Sequence, residues 1–211
     1  MRGGLMWQVI HSIPLPHLLA FLATGILLNL TPGADVIFAS ASGISGGPRA
    51  GAMAGLGVGL GGVWHIGLAA LGLSALVASH PGALIALRWA GAAYLLWLAW
   101  QAWGAGPAIT GTGATSPGQA LWRGFLTNAL NPKVVLFFLA LLPQFTDPDH
   151  GPIWGQVVLF GGLFTLTGTV ITVGYGVLAG LAGAALARRM SVLNRVAAGL
   201  YAVLALRLVR G

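Results

Sequence analysis

The sequence predicts an all-α integral membrane fold of six transmembrane helices arranged as two inverted three-helix repeats. Three observations carry this expectation. Only 6% of the residues are charged, 57% are hydrophobic, and mean hydropathy is +0.88. A soluble domain covers itself with about a quarter charged residues, so most of this surface must meet lipid. Several apolar stretches are also long enough, at about 20 residues, to cross roughly 30 Å of hydrocarbon. Finally, these stretches fall into two sets of three on either side of a Gly/Ser/Thr/Pro-rich segment, 105–119.

In chain order, Met1 to Pro16 carries one Arg and an apolar patch interrupted by Pro14 and Pro16. It lacks a small-residue cleavage site and reads as retained. Spans are expected at 17–41, 50–78 and 83–104, then, after the flexible segment, at 120–143, 153–182 and 194–209. Each should be helical wherever it faces lipid, because irregular backbone there leaves polar groups unpaired. The chain 1–211 thus reads as one membrane domain with repeat one at 17–104, a linker at 105–119 and repeat two at 120–209. An odd number of spans per half makes the second half enter the membrane from the opposite side. Leu30-Thr31-Pro32 and Leu130-Asn131-Pro132 stand one hundred residues apart, and Phe38 and Phe138 keep that offset.

The net charge of +7, with ten Lys/Arg against three Asp/Glu, would point a soluble protein toward nucleic acid. Here the basic residues lie singly at span ends, as topology signals and headgroup anchors do, so no nucleic-acid partner is expected. Arg49, Arg123, Arg188, Arg189 and Arg195 follow spans one, three and five, against Arg2, Arg88, Arg207 and Arg210 on the other side. The bias puts the first group in the cytoplasm and both termini outside, with Trp100, Trp103 and Trp122 at the cytoplasmic interface. The absence of cysteine excludes disulfides, thiol redox chemistry and thiolate metal sites.

Two spans are interrupted near their middles, by Asn29-Leu30-Thr31-Pro32-Gly33-Ala34-Asp35 and by Asn128-Ala129-Leu130-Asn131-Pro132-Lys133. Proline removes a backbone donor and clashes one turn back, costing about 3 kcal/mol in a helix interior. The freed carbonyls need partners, which the neighbouring Asn and Thr side chains can supply. Simple proline kinks are one reading. Matched breaks in both halves, each beside a charge, point instead to a binding site. Asp35 is the only acidic residue within any span and Lys133 the only lysine of the chain. Each costs on the order of 3 kcal/mol at the bilayer centre and should face the protein interior. They form either a structural salt bridge or a receptor for a zwitterion. In the receptor, Lys133 and freed amides attract a carboxylate, while Asp35 meets an ammonium group or carries a proton.

His65, mid-span, suits either proton relay or a structural hydrogen bond to a neighbouring helix. Gly47, Gly51, Gly55 and Gly59 recur every fourth residue, with Gly57 and Gly61 on an adjacent stripe, and read as helix-packing glycines. Thr165, Thr167, Thr169, Thr172 and Tyr175 either line a pathway or bond their own backbone.

Taken together these residues resemble the lysine exporter superfamily, in its RhtB-type branch of homoserine, threonine and neutral amino-acid efflux proteins. The resemblance runs almost end to end. It rests on Thr31-Pro32-Gly33 with Asp35, the glycine run 55–61 followed by His65, Gly91-Ala92-Ala93-Tyr94-Leu95, Asn128, Asn131-Pro132-Lys133, Phe137-Phe138 and Leu142-Pro143-Gln144-Phe145. Where the family carries Pro-Gly-Pro this chain has Ala34, so a milder first break is expected. The resemblance implies proton-coupled efflux of an amino-acid-like substrate across a bacterial inner membrane, with no cofactor, and adds Tyr94 and Gln144 to the candidate site. Homo-oligomerisation stays open, as do a divalent-cation exporter and a passive channel. One intramembrane Asp and no Cys disfavour the cation exporter. An intramembrane enzyme would need paired carboxylates, a Ser/His/Asp set or a His-rich helix motif, and none is present.

Overall fold

The structure, a computed structural model, describes residue 9 and residues 11–79, 81–104 and 112–210. Within these it describes all side chains except those of 73–79, 81–84, 87–88, 183–191, 193 and 210. Residues 1–8, with Arg2, and 105–111 of the expected linker lie outside the described residues.

Helix starts follow local chemistry. Helix α1 (Leu15–Leu30) opens after Pro14 with Pro16 in its first turn, where a missing N–H has no intrahelical partner to lose. Helix α2 (Ala34–Ser79) places Asp35 in its first turn, the end of the helix dipole that favours a negative charge. Next comes α3 (Pro81–Gly104). Helix α4 (Pro117–Ala129) opens on Ser116, whose hydroxyl accepts the Gln119 N–H at 3.4 Å. A short helix, α5 (Pro132–Leu136), opens on Asn131 and runs on through a π-helical turn, Phe137–Leu141, and a 3₁₀ turn, Leu142–Phe145. After a 3₁₀ turn at Pro148–His150 comes α6 (Ile153–Arg210). No strand occurs among the described residues.

The two interrupted spans break where expected, whereas two expected span boundaries run through as helix. The apolar stretch 17–41 is two helical arms, because Thr31 is extended (φ −71°, ψ 119°) and the helix resumes only at Ala34. Ala34 therefore does not soften the first break. The stretch 120–143 is likewise split, with α4 and the run from Pro132 to Phe145 bent by 46°. Conversely, no coil separates residue 41 from 50 or 182 from 194. Helix α2 turns at Gly47 (φ 78°, ψ 177°) before Pro48, and α6 turns at Ala182 (φ −147°, ψ 43°). Hydropathy marks where apolar side chains thin out, whereas one non-helical residue suffices to redirect a backbone. By length and composition Ala34–Gly72 and Ile153–Ala182 can each cross a membrane, and α4 with its continuation adds a third if the bent pair is one span.

The glycine stripe packs, with one exception. A Cβ on Gly51 would strike the Gly176 backbone, one on Gly55 the Val173 backbone, and one on Gly57 the Leu121 carbonyl. Helix α2 is thus held backbone-to-backbone between α6 and α4, the close approach that small residues permit in lipid. Gly47 does not belong to this interface. It has positive φ and nothing within 4 Å of its missing side chain, so its role is the turn that a glycine makes without strain. Elsewhere large side chains fill the contacts. Phe137 stacks on Phe164 at 3.6 Å between ring centroids, and Phe21 meets Phe160 at 4.5 Å and Phe145 edge-on at 5.2 Å. Outward, Leu71, Leu130 and Trp100 are 80%, 78% and 74% exposed, and Trp103 and Trp122 are exposed too. An apolar exterior of this kind suits lipid.

Candidate functional site

Both helix breaks open onto one cavity. It is lined by Asn29, Gly33 and Asp35 from the first break and Asn128, Asn131 and Lys133 from the second, with Gly59, Gly62, Thr165, Gly168, Thr169 and Thr172 from α2 and α6. Its volume is about 30 Å³, above the roughly 10–15 Å³ that one water needs.

At the first break, α1 ends with carbonyls that no helical N–H reaches. Each has a partner. Thr31 Oγ1 donates to Leu27 O at 2.6 Å, Lys133 Nζ donates to Leu28 O at 2.7 Å and Thr31 O at 3.0 Å, and Tyr175 OH donates to Leu30 O at 3.2 Å. Lys133 also lies 5.8 Å from the centroid of the Tyr201 ring. A cation here meets the negative end of the α1 dipole. Among the described residues no ion pair joins Lys133 to Asp35. In place of the salt bridge that stood as one of the two readings, Lys133 forms a staple from α5 across the end of α1. Asn29 reaches α6 instead, donating to Phe164 O at 3.0 Å and to Thr167 Oγ1 at 3.1 Å.

The second break is closed mostly from within. Leu130 N–H donates to Leu126 O at 3.1 Å, Asn131 N–H to Asn128 O at 2.9 Å, and Lys133 N–H to Asn131 Oδ1 at 3.0 Å. One distant group joins in. His65 Nε2 donates to Asn128 O at 3.0 Å while its ring stacks on Phe138, 5.7 Å between centroids. The carbonyl can only accept, so the proton on this hydrogen bond sits on Nε2.

Hydrogen bonding also fixes which way the two asparagine amides face. Asn128 Nδ2 donates to Asp35 Oδ2 at 2.8 Å, leaving its Oδ1 against Gly61, which has no side chain to obstruct it. Asn131 Oδ1 is held by the Lys133 N–H, so the other end of that amide is a donor. Asp35 Oδ1, Asn131 Nδ2 and Thr165 Oγ1 are all buried without a hydrogen-bond partner among the described residues. An unpaired buried polar atom costs about 1–3 kcal/mol. With Asn128 Oδ1, which is buried and unpartnered too, two free acceptors, one free donor and one hydroxyl on residues of a single cavity mark it as a place for a polar guest.

Of the other residues anticipated from sequence, Thr31, Pro32, Pro132 and His65 shape the breaks without lining the cavity. Tyr94 lies outside it, against Trp97 at 5.2 Å, and Gln144 lies outside it too, donating to Ala140 O at 2.9 Å. Within the threonine-rich segment, Thr165, Thr169 and Thr172 line the cavity, spaced as one helix face, while Thr167 and Tyr175 do not. That spacing, opposite glycines 59 and 62, is the signal that could have separated them.

Residues 26–211 match the family described as LysE type translocator. The homoserine/homoserine lactone efflux protein of Salmonella typhi is 36% identical over 189 residues, 86% of this chain and 90% of the relative. The cysteine/O-acetylserine efflux protein of Klebsiella pneumoniae is 33% identical, covering 64% and 68%. The leucine efflux protein of Enterobacter sp. (strain 638) is 30% identical, covering 60% and 62%. No solved structure matches.

Proposed function

Since this chain belongs to the LysE type translocator family, we propose that it exports amino acids or related small zwitterions across the bacterial inner membrane, driven by the proton gradient. It is a multi-pass membrane transporter and not an enzyme. The observation that carries the substrate class is the cavity where the two helix breaks meet, with a free acceptor at Asp35 Oδ1 and a free donor at Asn131 Nδ2. A zwitterion supplies what each lacks. Its ammonium group meets Asp35, and its carboxylate meets the Asn131 amide under the charge of Lys133, which keeps its carbonyl partners.

On this reading the chain is one domain of six spans, with repeat one at 17–104, a linker at 105–119 and repeat two at 120–209 entering from the opposite side, each half giving one break to the site. Export then requires the 30 Å³ cavity to widen toward one side of the membrane and afterwards toward the other. Asp35, the acidic residue of the cavity, alternates between substrate ammonium and a proton.

The test is a panel of L-homoserine, L-cysteine and L-leucine in proteoliposomes of the purified protein, with and without an imposed pH gradient. Counterflow of at least one, accelerated by the gradient, is expected. Equal leakage through protein-containing and empty vesicles, or transport indifferent to the gradient, overturns substrate class or coupling respectively.

A further inference from the structure

We infer that Thr165 is an additional ligand of the substrate's ammonium group, so that the site selects primary amines through a hydroxyl on α6 as well as through Asp35. The inference rests on the substrate reading above and extends it to a residue outside both breaks.

Its first support is a contrast among threonines. Thr24, Thr31, Thr127, Thr167 and Thr169 each donate a hydroxyl hydrogen to the carbonyl four residues back, at 2.6–2.8 Å. That local bond is the default for threonine inside a helix. Thr165 departs from it. Its Oγ1 is buried and unpartnered, although it sits in the uninterrupted helical part of α6 between Ile153 and Ala182. Its second support is what stands opposite. A side chain on Gly62 would come within 2.6 Å of Thr165 Oγ1, so glycine keeps the space before this hydroxyl clear. Gly62 and Thr165 both line the cavity that holds Asp35.

An ammonium group brings three hydrogens and asks for acceptors. Asp35 Oδ1 takes one and Thr165 Oγ1 a second, the hydroxyl turning its own hydrogen to another acceptor as it does so. A 2-hydroxy acid cannot fill both positions in the same way, having one hydrogen to give.

The test uses direct binding in detergent of L-homoserine and L-leucine, and of their 2-hydroxy analogues, to wild type, Thr165→Val and Thr165→Ser, with a thermal melt on each protein. Valine keeps the shape and removes the hydroxyl. Expected are a loss of about tenfold in amino-acid affinity for Thr165→Val, recovery in Thr165→Ser, and equal, weak binding of the hydroxy acids by all three. Thr165→Val binding the amino acids as wild type does, or losing amino and hydroxy acids alike, overturns the inference and leaves the substrate class standing. Wild type binding neither amino acid overturns the substrate reading and this inference with it.

Discussion

The two helix breaks share a sequence pattern and differ in what holds them. At the first, the carbonyls of Leu28, Leu30 and Thr31 are covered by side chains more than 100 positions away, Lys133 and Tyr175. At the second, Leu130, Asn131 and Lys133 use their own backbone and the Asn131 side chain, with His65 on Asn128 O and Asp35 on the Asn128 amide as distant partners. The first break is therefore defined by the second half of the chain, and the second largely by itself. Any displacement of α5 relative to α1 takes Lys133 from two carbonyls at the end of α1, whereas the second break can travel as a unit. A rearrangement around the cavity has its hydrogen-bond cost concentrated at the Lys133 staple.

The strongest way to break this contrast is Lys133→Met, which keeps length and flexibility and removes every donor. Thr31 O loses its partner and Leu28 O keeps only the Thr31 N–H at 3.3 Å, at about 1–3 kcal/mol. A clear drop in melting temperature and a loss of counterflow on the order of a hundredfold are expected. An unchanged melt with transport lost makes Lys133 a substrate ligand rather than a staple. An esterified substrate, lacking the carboxylate charge, should then bind wild type and variant alike.

Next in size is Asp35→Asn. The amide oxygen still accepts from Asn128, so the melt should move by less than about 1 kcal/mol-equivalent. Gradient-driven export, however, should fall on the order of a hundredfold, because the variant neither carries a proton nor balances an ammonium group. Undiminished gradient-driven export by the folded variant removes Asp35 from the mechanism.

His65 sharpens the comparison from the other side, as a distant support of the second break's backbone. Gln offers a donor to Asn128 O but cannot carry a proton as an imidazole can. His65→Gln should retain transport within about threefold with an unchanged pH profile, while His65→Leu, leaving that carbonyl one partner short, loses about 1 kcal/mol. A folded His65→Gln protein that transports without responding to the gradient assigns His65 to proton relay.

Much of this was readable along the chain. Apolarity and prolines act locally, so the membrane character, both breaks and the membership of Asp35 and Lys133 in one site followed from composition and from two solitary charges. The partners did not follow, because they depend on helix register between elements far apart in sequence. Nothing local distinguishes a lysine that pairs with Asp35 from one that reaches Leu28 O and Thr31 O, and Tyr175 finds Leu30 only across α6. Gly47 is a different case. Proline at 48 disfavours helical geometry at the residue before it, so the turn was legible, and the regular spacing of the glycines obscured it.

The smallest expected effect gives the most direct measure of whether the first break is one unit. Tyr175→Phe keeps the ring, which is buried, and deletes a hydroxyl whose bond to Leu30 O is 3.2 Å long. Alone it should cost about 1 kcal/mol and slow counterflow about twofold. Its value lies in combination. Lys133 and Tyr175 cover neighbouring carbonyls of a single helix end, so once Lys133→Met has let that end fray, Tyr175 has little left to hold. The double variant should be less destabilised than the sum of the single ones, by more than the roughly 0.3–0.5 kcal/mol within which independent sites add. Tyr175→Phe combined with His65→Gln, at separate breaks, should be additive within that margin. Additivity in both pairs would mean that the two partners of the first break act independently, and that the contrast between a break held from afar and one held by itself has no energetic content.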